Sequence, residues 1–373
     1  MTHTHVDPDG LMEFSVVFTD RSLNHMSAVF QQVMRDISGM LKDVYKADHV
    51  AIVPGGGTYG MEAVARQFGA GAHALIVRNG WFSYRWTQIF DAGQFTAQTT
   101  VFKARQAGND TRAPFAPAPI EDVTQAIREA RPDVVFAPHV ETSAGIILPD
   151  DYITRLAAAA HEVGALMVLD CIASGCVWVD MAATGVDVLI SAPQKGWSAS
   201  PSAGLVMMSG RAKERLDDTT SNSFAIDLKK WSSIMEAYEN GGHAYHATMP
   251  TDALRAFRDT MVETRDYGFE KLRDAQWELG NAVRDMLREK GIKSVAAEGY
   301  GAPGVVVSYT DDPDIQNGKK FAALGMQIAA GVPLQCDEPS DFRTFRLGLF
   351  GLDKLYDVEG TVERLRGVVD QVL

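Results

Sequence analysis

Cysteine is scarce in this sequence, which has three cysteines in 373 residues, at positions 171, 176 and 336. A small and odd number of cysteines argues against a disulfide-stapled secreted domain and is typical of reduced thiols in a cytoplasm. Cys171 and Cys176 have neither a second cysteine pair nor a suitable histidine near them, so a structural zinc site is not expected. The sequence therefore predicts a cytoplasmic protein without a bound metal.

Long apolar runs and excess positive charge are also missing. No uninterrupted apolar segment reaches the roughly 18 residues that a membrane span needs. The N-terminal stretch MTHTHVDPDG has neither the basic region nor the apolar core of a signal peptide. The 35 Lys and Arg residues are outnumbered by 48 Asp and Glu residues, which gives a formal net charge of -13. These features argue against nucleic acid and anionic membranes as partners, but they leave room for a local basic pocket that binds a small acid.

The order of apolar segments predicts an α/β fold. Short apolar strands alternate with helical or loop segments from about residue 48 to 210, and 46% hydrophobic content is enough for a large core. Such alternation is typical of a mostly parallel central sheet covered by helices, whose ligands bind outside the carboxyl ends of the strands. The predicted strands are HVAIVP, ALIVRN, DVVFAP, ALMVLD, DVLISA and GLVMMS.

The sequence changes character after residue 250. We expect one long charged amphipathic helical tract that begins with Thr251 as its N-cap and is closed by Gly291. The tract would connect a large domain, residues 1–255, to a smaller C-terminal α+β domain, residues 256–373. The predicted elements of the smaller domain are strands around GVVVSYT and TFRLGLF, a helix around GKKFAALGMQIAA and a final helix in DVEGTVERLRGVVDQVL.

The stretch VPGGGTYGMEA satisfies G-x-G-x-x-G and lies between a predicted strand and a predicted helix. A glycine turn at a helix N-terminus attracts anions, because its amide N–H groups and the helix dipole face the turn. A nicotinamide site would also require an acidic residue about 20 positions on, and none is present. Arg78 would suit a 2′-phosphate, so an NADP site stays open, and so does a turn without any ligand.

Asp170 and Lys195 each follow an apolar strand and are 25 residues apart, about one crossover connection. Both charges are therefore expected on the same rim of the sheet, beside the glycine turn. A lysine that holds an aldehyde as a Schiff base, an aspartate that keeps a pyridine nitrogen protonated and a helix terminus that binds phosphate are the three anchors of a pyridoxal phosphate site. A nicotinamide site explains only the glycine turn.

Seven segments, spread over most of the chain and in a consistent order, resemble the class V aminotransferases of fold type I, close to the serine/alanine-glyoxylate aminotransferase group. The resemblance implies a pyridoxal phosphate-dependent transferase fold with a mostly parallel central sheet and a smaller C-terminal α+β domain. The segments are GGGTYGMEA, RNGWFSYRW, HVETSAGI, LDCIAS, SAPQKGW, YHATMP and FRLGLFG.

The resemblance implies a role for each matching residue. Lys195 would form the Schiff base and shuttle a proton, with a pKa that burial lowers, and Asp170 would pair with the pyridine nitrogen. Phe82 would stack on the cofactor ring, although a packed core phenylalanine is the alternative. The residues expected around the phosphate and the ring oxygen are Gly56, Gly57, Thr58, Gln194 and Thr142.

Two further assignments concern the partner subunit and the substrate. Tyr245 and Thr248 resemble residues that reach the phosphate in a neighbouring subunit, which implies a homodimer with shared active sites; an ordinary loop is the alternative. Arg346 would bind the substrate carboxylate bidentately, in preference to being a solvated arginine on an edge strand. Arg343 is expected to be solvated.

The predicted function is transamination between a small α-amino acid, alanine-like or serine-like, and a 2-oxo acid such as glyoxylate or pyruvate. The alternative is a cysteine desulfurase or C–S lyase of the same fold that uses Cys336, which lies in a loop shortly before Arg346. An NADP-dependent oxidoreductase leaves Lys195, Asp170 and Arg346 unexplained, and a binding module with an inactive site has no need of Lys195.

The N-terminal region departs from the family pattern, since a glycine-proline loop is replaced by LMEFSVVFTDRSLNHMSAVF. Arg21, Asn24 or His25 could face the substrate there, and His25 could instead cap the helix that follows. Trp81 and Trp197 flank the expected site and suggest a bulky wall.

Overall fold

The structure is a computed structural model, which describes residues 6–373. Residues 1–5, the first half of the N-terminal stretch MTHTHVDPDG, lie outside the described residues. The helices are α1 (Ala28–Tyr45), α2 (Gly57–Phe68), α3 (Trp81–Gly93), α4 (Ile120–Ala130), α5 (Asp150–Glu162), α6 (Met181–Thr184), α7 (Gly210–Asp218), α8 (Leu228–Glu239), α9 (Thr251–Tyr267), α10 (Phe269–Glu289), α11 (Pro313–Gln316), α12 (Lys319–Ala323), α13 (Leu352–Leu355) and α14 (Val358–Val372). The strands are β1 (His49–Pro54), β2 (His73–Arg78), β3 (Gln98–Lys103), β4 (Arg105–Gln106), β5 (Phe115–Ala116), β6 (Val134–Pro138), β7 (Val140–Glu141), β8 (Ile146–Ile147), β9 (Leu166–Asp170), β10 (Val188–Ser191), β11 (Ala203–Met208), β12 (Val305–Tyr309), β13 (Ala329–Ala330) and β14 (Thr344–Gly348).

The central sheet has the order β1-β11-β10-β9-β6-β2-β3. The pairs β10/β9, β9/β6, β6/β2 and β2/β3 are parallel, whereas β11 runs antiparallel to both β1 and β10. The prediction of a mostly parallel α/β sheet is confirmed, and all six predicted strands form. The prediction missed the edge strand β3, because its sequence QTTVFK is only partly buried and has no continuous apolar run.

The charged tract after residue 250 forms two helices instead of one. Gly268 separates α9 from α10 with φ of +112°, a backbone conformation that side chains other than glycine rarely adopt. Thr251 is the first residue of α9 and Pro250 is its N-cap, so the prediction of Thr251 as the N-cap was wrong. Gly291, with φ of +74°, follows the end of α10 as expected.

The C-terminal part contains a three-stranded antiparallel sheet with the order β12-β14-β13. Both predicted strands and the final helix α14 form. The helix predicted around residues 318–330 is limited to α12, since the chain turns at Gly325, with φ of +78°, and then pairs as β13. Strand β14, which carries Arg346, lies in the centre of this sheet and not at its edge.

The buried apolar side chains form a main cluster around the central sheet and a second cluster between α10, α14 and the C-terminal sheet. Leu254, Phe257 and Met261 of α9 belong to the main cluster, whereas Leu272 of α10 belongs to the second. Within residues 6–373, no helix combines the length and the apolar character needed to cross a bilayer.

Candidate active site

The carboxyl ends of β9 and β10 bring Asp170 close to the segment that leads to Lys195. Ile190 of β10 pairs directly with Asp170, and Lys195 follows in the turn after Ser191, where β10 ends. On the other side of β9, Pro138 of β6 pairs with Asp170. Asp170 and the Lys195 turn therefore lie on one rim of the sheet, where α/β folds bind ligands.

Asp170 is a buried carboxylate without a cationic partner among the described residues. Its Oδ1 accepts a hydrogen bond of 2.9 Å from the backbone N–H of Ile172. Burial raises the pKa of Asp170 to about 7, and the nearby Glu141 charge raises it as well. The Ile172 hydrogen bond and the positive charge of Arg85 act in the opposite direction. A buried carboxyl with this environment would be stabilised in its charged form by a cation placed against it.

The glycine motif forms the turn between β1 and α2, and a conformational or steric reason exists for its three spaced glycines, Gly55, Gly57 and Gly60. Gly55 has φ of +124°, a conformation that strongly favours glycine. A Cβ at Gly57 would lie 2.6 Å from Cδ1 of Ile172, and a Cβ at Gly60 would lie 3.2 Å from Cα of Gly204. Gly56, the N-cap of α2, has open space where its side chain would be. The first-turn amides of α2 therefore border an open region, and α2 begins close to Ile172, two residues after Asp170.

Helix α3 carries Phe82 and is linked to the glycine turn by Arg85, a residue that was not predicted from the sequence. Nη1 of Arg85 donates a hydrogen bond of 3.0 Å to Oγ1 of Thr58 in the glycine turn. Its guanidinium lies 4.8 Å from the centroid of the Phe82 ring, and the guanidinium of Arg346 lies 5.5 Å from the same centroid. Arg85 follows Phe82 by three residues, and this helical spacing was the signal that could have identified it.

The side chains of Arg346 and Lys195 are both half-buried. Nε of Arg346 donates to the carbonyl of Ala330 at 2.8 Å, which holds the side chain along the sheet. Nζ of Lys195 lies 5.2 Å from the centroid of the Phe350 ring. Burial lowers the pKa of Lys195, and the positive charges of Arg346 and Arg85 lower it further.

Gln194 and Thr142 lie in the segments that border this region. Oε1 of Gln194 is buried and has no hydrogen-bond partner within the described part of the chain. Thr142 is buried in the connection between β7 and β8. The residue before it, Glu141, is fully buried and was also missed, because an isolated glutamate at the end of an apolar segment resembles a surface residue in a sequence.

Tyr245 and Thr248 are exposed and do not contact the residues described above. The Tyr245 hydroxyl and Oγ1 of Thr248 are 3.1 Å apart and hydrogen-bond each other. The Tyr245 ring lies beside His25, with 5.5 Å between the ring centroids. These two side chains therefore face solvent in the single chain.

The N-terminal candidates differ in their surroundings. Nδ2 of Asn24 donates to Glu13 at 2.7 Å, Arg21 is exposed, and His25 is buried. Ser27, whose Oγ accepts from the N–H of Phe30, is the N-cap of α1, so the expectation that His25 could cap this helix was wrong.

Arg78 and Cys336 occupy sites that do not suit the alternative functions. Arg78 is buried and donates to Oγ1 of Thr87 at 2.8 Å and to the carbonyl of Gln335 at 3.2 Å, so it is not free to bind a ribose 2′-phosphate. Cys336 is buried, its Sγ donates to the carbonyl of Arg78 at 3.4 Å, and burial raises its pKa to about 12. An accessible thiolate nucleophile requires the opposite environment.

The two tryptophans differ in their environment. Trp197 is fully buried in the main core, with its ring centroid 4.8 Å from that of Trp178, so the expectation that it forms a wall of the site was wrong. Trp81 is half-buried at the first position of α3.

Arg343, the other arginine near β14, donates to the backbone carbonyl of Asp311 at 2.6 Å. Within residues 6–373, no cluster of three His, Cys, Asp or Glu side chains is arranged to hold a metal ion.

Comparisons with known proteins agree in family and differ in the names of individual relatives. The family model "Aminotransferase class-V" matches residues 13–303. The soluble hydrogenase small subunit of a Synechococcus species is 25% identical over 353 residues, which cover 94% of this chain and 88% of that protein. Alanine–glyoxylate aminotransferase 1 of Saccharomyces cerevisiae is 25% identical over 330 residues, which cover 83% of this chain and 82% of that protein.

The solved structure of an alanine–glyoxylate aminotransferase from a Nostoc species superimposes with a TM-score of 0.79 and 22% identity, covering 94% of this chain and 89% of that one. The superposition supports the fold assignment over nearly the whole chain. Since the family model covers most of the chain, including both strand-end residues Asp170 and Lys195, the chain belongs to the class V aminotransferase family of fold type I.

Proposed function

We propose that the protein is a pyridoxal phosphate-dependent aminotransferase that moves an amino group between a small α-amino acid and a 2-oxo acid. The observation that carries the proposal is the buried Asp170 carboxyl, which forms no ion pair among the described residues and lies on the same rim as Lys195 and the N-terminus of α2. The ring nitrogen of a nicotinamide is bonded to ribose and has no proton to donate to Asp170, whereas a protonated pyridine nitrogen supplies both a positive charge and a hydrogen-bond donor.

The residues present fit this cofactor. Asp170 would bind the ring nitrogen, Phe82 would cover the ring, and Thr142 would bind the ring oxygen. Gly56, Gly57, Thr58 and Gln194 would hold the phosphate. The first-turn amides of α2 border an open region, and Gln194 would bind through its Nε2–H donors, because phosphate oxygens accept hydrogen bonds. When bound, the cofactor supplies an aldehyde that condenses with amino groups and a ring that withdraws electrons from the substrate Cα.

The side chains would then position the substrate and move its proton. Arg346 would bind the substrate carboxylate through its guanidinium fork, which has no carboxylate partner in the described part of the chain. Lys195 Nζ, once free of the cofactor, would take the proton from the substrate Cα, because its lowered pKa makes the neutral amine more available near pH 7. Half-burial of both groups would limit competing proton exchange with water.

We also propose a homodimer in which Tyr245 and Thr248 reach the cofactor site of the second subunit. Both side chains are exposed, and a group of large apolar side chains is exposed as well, namely Leu11, Met12, Phe14, Val16 and Phe224. An association that covered these side chains would remove apolar surface from water. A location in a reducing cytoplasm stays a prediction from the cysteine content.

We also propose that the chain divides into a large and a smaller domain. The packing of α9 in the main core favours a boundary at Gly268 over the predicted one after residue 255.

The substrate pair is testable with a two-substrate panel. Protein loaded with pyridoxal phosphate is incubated with alanine, serine or glycine as donor and with glyoxylate or pyruvate as acceptor, and both products are quantified. We expect stoichiometric conversion of one donor to its 2-oxo acid. A parallel incubation contains cysteine and a thiol reductant, which would release the transferred sulfur as sulfide. Formation of alanine and sulfide there, with no amino-group transfer in the panel, would instead support the desulfurase.

The shared site is testable by subunit complementation. A Lys195→Ala subunit and a subunit with Tyr245→Phe and Thr248→Ala are mixed after each is shown to be impaired. If the subunits share sites, the hybrid contains one site with both defects and one with neither, so activity returns. Hybrids that remain as impaired as either parent would contradict the sharing of these residues.

A further inference from the structure

Glu141 is a fully buried glutamate that directly precedes Thr142 and contacts the first turn of α3, which carries Phe82. Thr142 and Phe82 are the residues expected to face the cofactor ring. The Glu141 carboxylate accepts five hydrogen bonds, all from neutral groups of Phe82, Ser83 and Ser143. A buried carboxylate is stabilised only by the hydrogen bonds that it accepts. Loss of any of these donors would leave part of its charge without compensation, so the carboxylate holds the donor groups in a fixed position.

One half of this arrangement caps helix α3. The N-cap of α3 is Gly80, which has no side chain to accept from the first-turn amides. Glu141 accepts instead from the N–H of Phe82 at 3.2 Å, the N–H of Ser83 at 2.9 Å and Oγ of Ser83 at 2.7 Å. A Cβ at Gly80 would lie 2.7 Å from Cγ of Glu141, so glycine permits the close approach. The negative charge also complements the positive end of the α3 dipole.

The other half holds the connection between β7 and β8. Oε1 of Glu141 accepts from the N–H of Ser143 at 3.1 Å and from its Oγ at 2.7 Å. Oγ of Ser143 in turn accepts from the N–H of Trp81 at 2.9 Å. One carboxylate therefore links the first turn of α3, which carries Phe82, to the segment that carries Thr142.

We propose that Glu141 is a positioning residue of the cofactor site, which sets the position of the Phe82 ring relative to Thr142. Since Arg85 is one turn further along α3 and hydrogen-bonds Thr58, the same cap also sets the distance between α3 and the glycine turn. The inference rests on the proposed function, because Phe82 and Thr142 matter to cofactor binding only if the site holds pyridoxal phosphate. Glu141 itself is not assigned a contact with the reacting atoms.

The test compares Glu141→Gln with Glu338→Gln. Glu338 is a matched control, since its carboxylate accepts from three backbone N–H groups, those of Leu334, Gln335 and Cys336, outside the proposed site. The dissociation constant of pyridoxal phosphate is measured by titrating each cofactor-free protein, and the visible circular dichroism per bound cofactor is recorded. The second signal reports how asymmetrically the protein holds the ring.

We expect Glu141→Gln to weaken cofactor binding roughly 10- to 100-fold, as loss of one or more hydrogen bonds to a charged group implies, and to reduce the dichroism. Glu338→Gln should change both by less than about twofold. Ser143→Ala, which removes one hydroxyl and leaves the carboxylate, is the second variant in case Glu141→Gln does not fold, and a severalfold weaker binding is expected. Far-ultraviolet circular dichroism of the cofactor-free proteins checks the fold.

Wild-type binding and dichroism in a folded Glu141→Gln or Ser143→Ala protein would overturn this inference while leaving the proposed function intact. Equal loss in Glu338→Gln would also overturn it, because the effect would then be common to glutamates that accept from backbone N–H groups and not specific to the proposed site. A wild-type protein that does not bind pyridoxal phosphate would refute the proposed function, and the inference with it.

Discussion

Replacement of Asp170 by asparagine should stabilise the cofactor-free protein at neutral pH while abolishing transamination. Asparagine keeps the shape of the side chain, and its oxygen can still accept the hydrogen bond that the N–H of Ile172 donates to Asp170 at 2.9 Å. The substitution removes a buried negative charge that has no direct ion-pair partner in the described chain and that the Arg85 charge offsets only in part. Loss of the Asp170 charge would then explain both the gain in stability and the loss of function.

The magnitude follows from the pKa of Asp170, which burial raises to about 7 in the folded protein. An unfolded aspartate has a pKa of about 3.9, so the unfolded chain loses the proton at lower pH than the folded protein does. The folded state is therefore penalised progressively as the pH rises from about 4 to 7, by up to about 4 kcal/mol for a pKa difference of about three. The amide that replaces the carboxyl in Asp170→Asn does not titrate, so the wild type alone carries this penalty.

The assay is chemical unfolding of the cofactor-free wild type and Asp170→Asn at pH 5 and pH 8, at one protein concentration. The variant should gain roughly 2 to 3 kcal/mol relative to the wild type between these pH values, because most of the penalty develops in that interval. Asp151→Asn, at an exposed position in the first turn of α5, is the control and should show no such gain. A difference between wild type and Asp170→Asn that does not grow with pH would refute the reasoning.

Three further substitutions have defined outcomes. Arg346→Gln should raise KM for the amino donor about 100-fold with little change in cofactor affinity, because it removes a charge-assisted fork, whereas steady-state kinetics of Arg343→Gln should match the wild type. Cys336→Ala should retain transamination and lose roughly 1 to 2 kcal/mol of stability on chemical unfolding, since the thiol is buried; lost turnover would revive the desulfurase. Gly57→Ala should weaken pyridoxal phosphate binding in a direct titration, since the new Cβ would lie 2.6 Å from Cδ1 of Ile172; unchanged affinity would show that this turn can shift without effect.

The apolar pattern was sufficient to predict the fold because buried parallel strands are continuous apolar runs. All the predicted strands of the central sheet formed, and the position of Asp170 and Lys195 at strand ends followed from chain order and crossover length. Strand β3 was missed because an edge strand is half-exposed and needs no apolar run. The break at Gly268 was missed because the amphipathic pattern continues on both sides of it.

The contacts within the site were harder to predict, since they join residues that are distant in sequence. Glu141 and Ser83 are 58 residues apart, and only the folded sheet brings the carboxylate to the N-terminus of α3. Arg78 shows the reverse case, because its strand-end position suggested a phosphate ligand although the side chain is buried and both terminal nitrogens already donate to Thr87 and Gln335. Sequence position identifies which rim a side chain lies on, and burial and hydrogen bonding decide what it can bind there.

Identification of the lysine that carries the cofactor tests the central claim most directly. The purified protein is loaded with pyridoxal phosphate, reduced with borohydride and digested, and the peptides are analysed by mass spectrometry. We predict one pyridoxyl phosphate group per chain, located on Lys195, and none at that peptide in a Lys195→Ala protein treated in parallel. A label on another lysine, or no stoichiometric label on the wild type, would contradict the assignment of this rim as the active site.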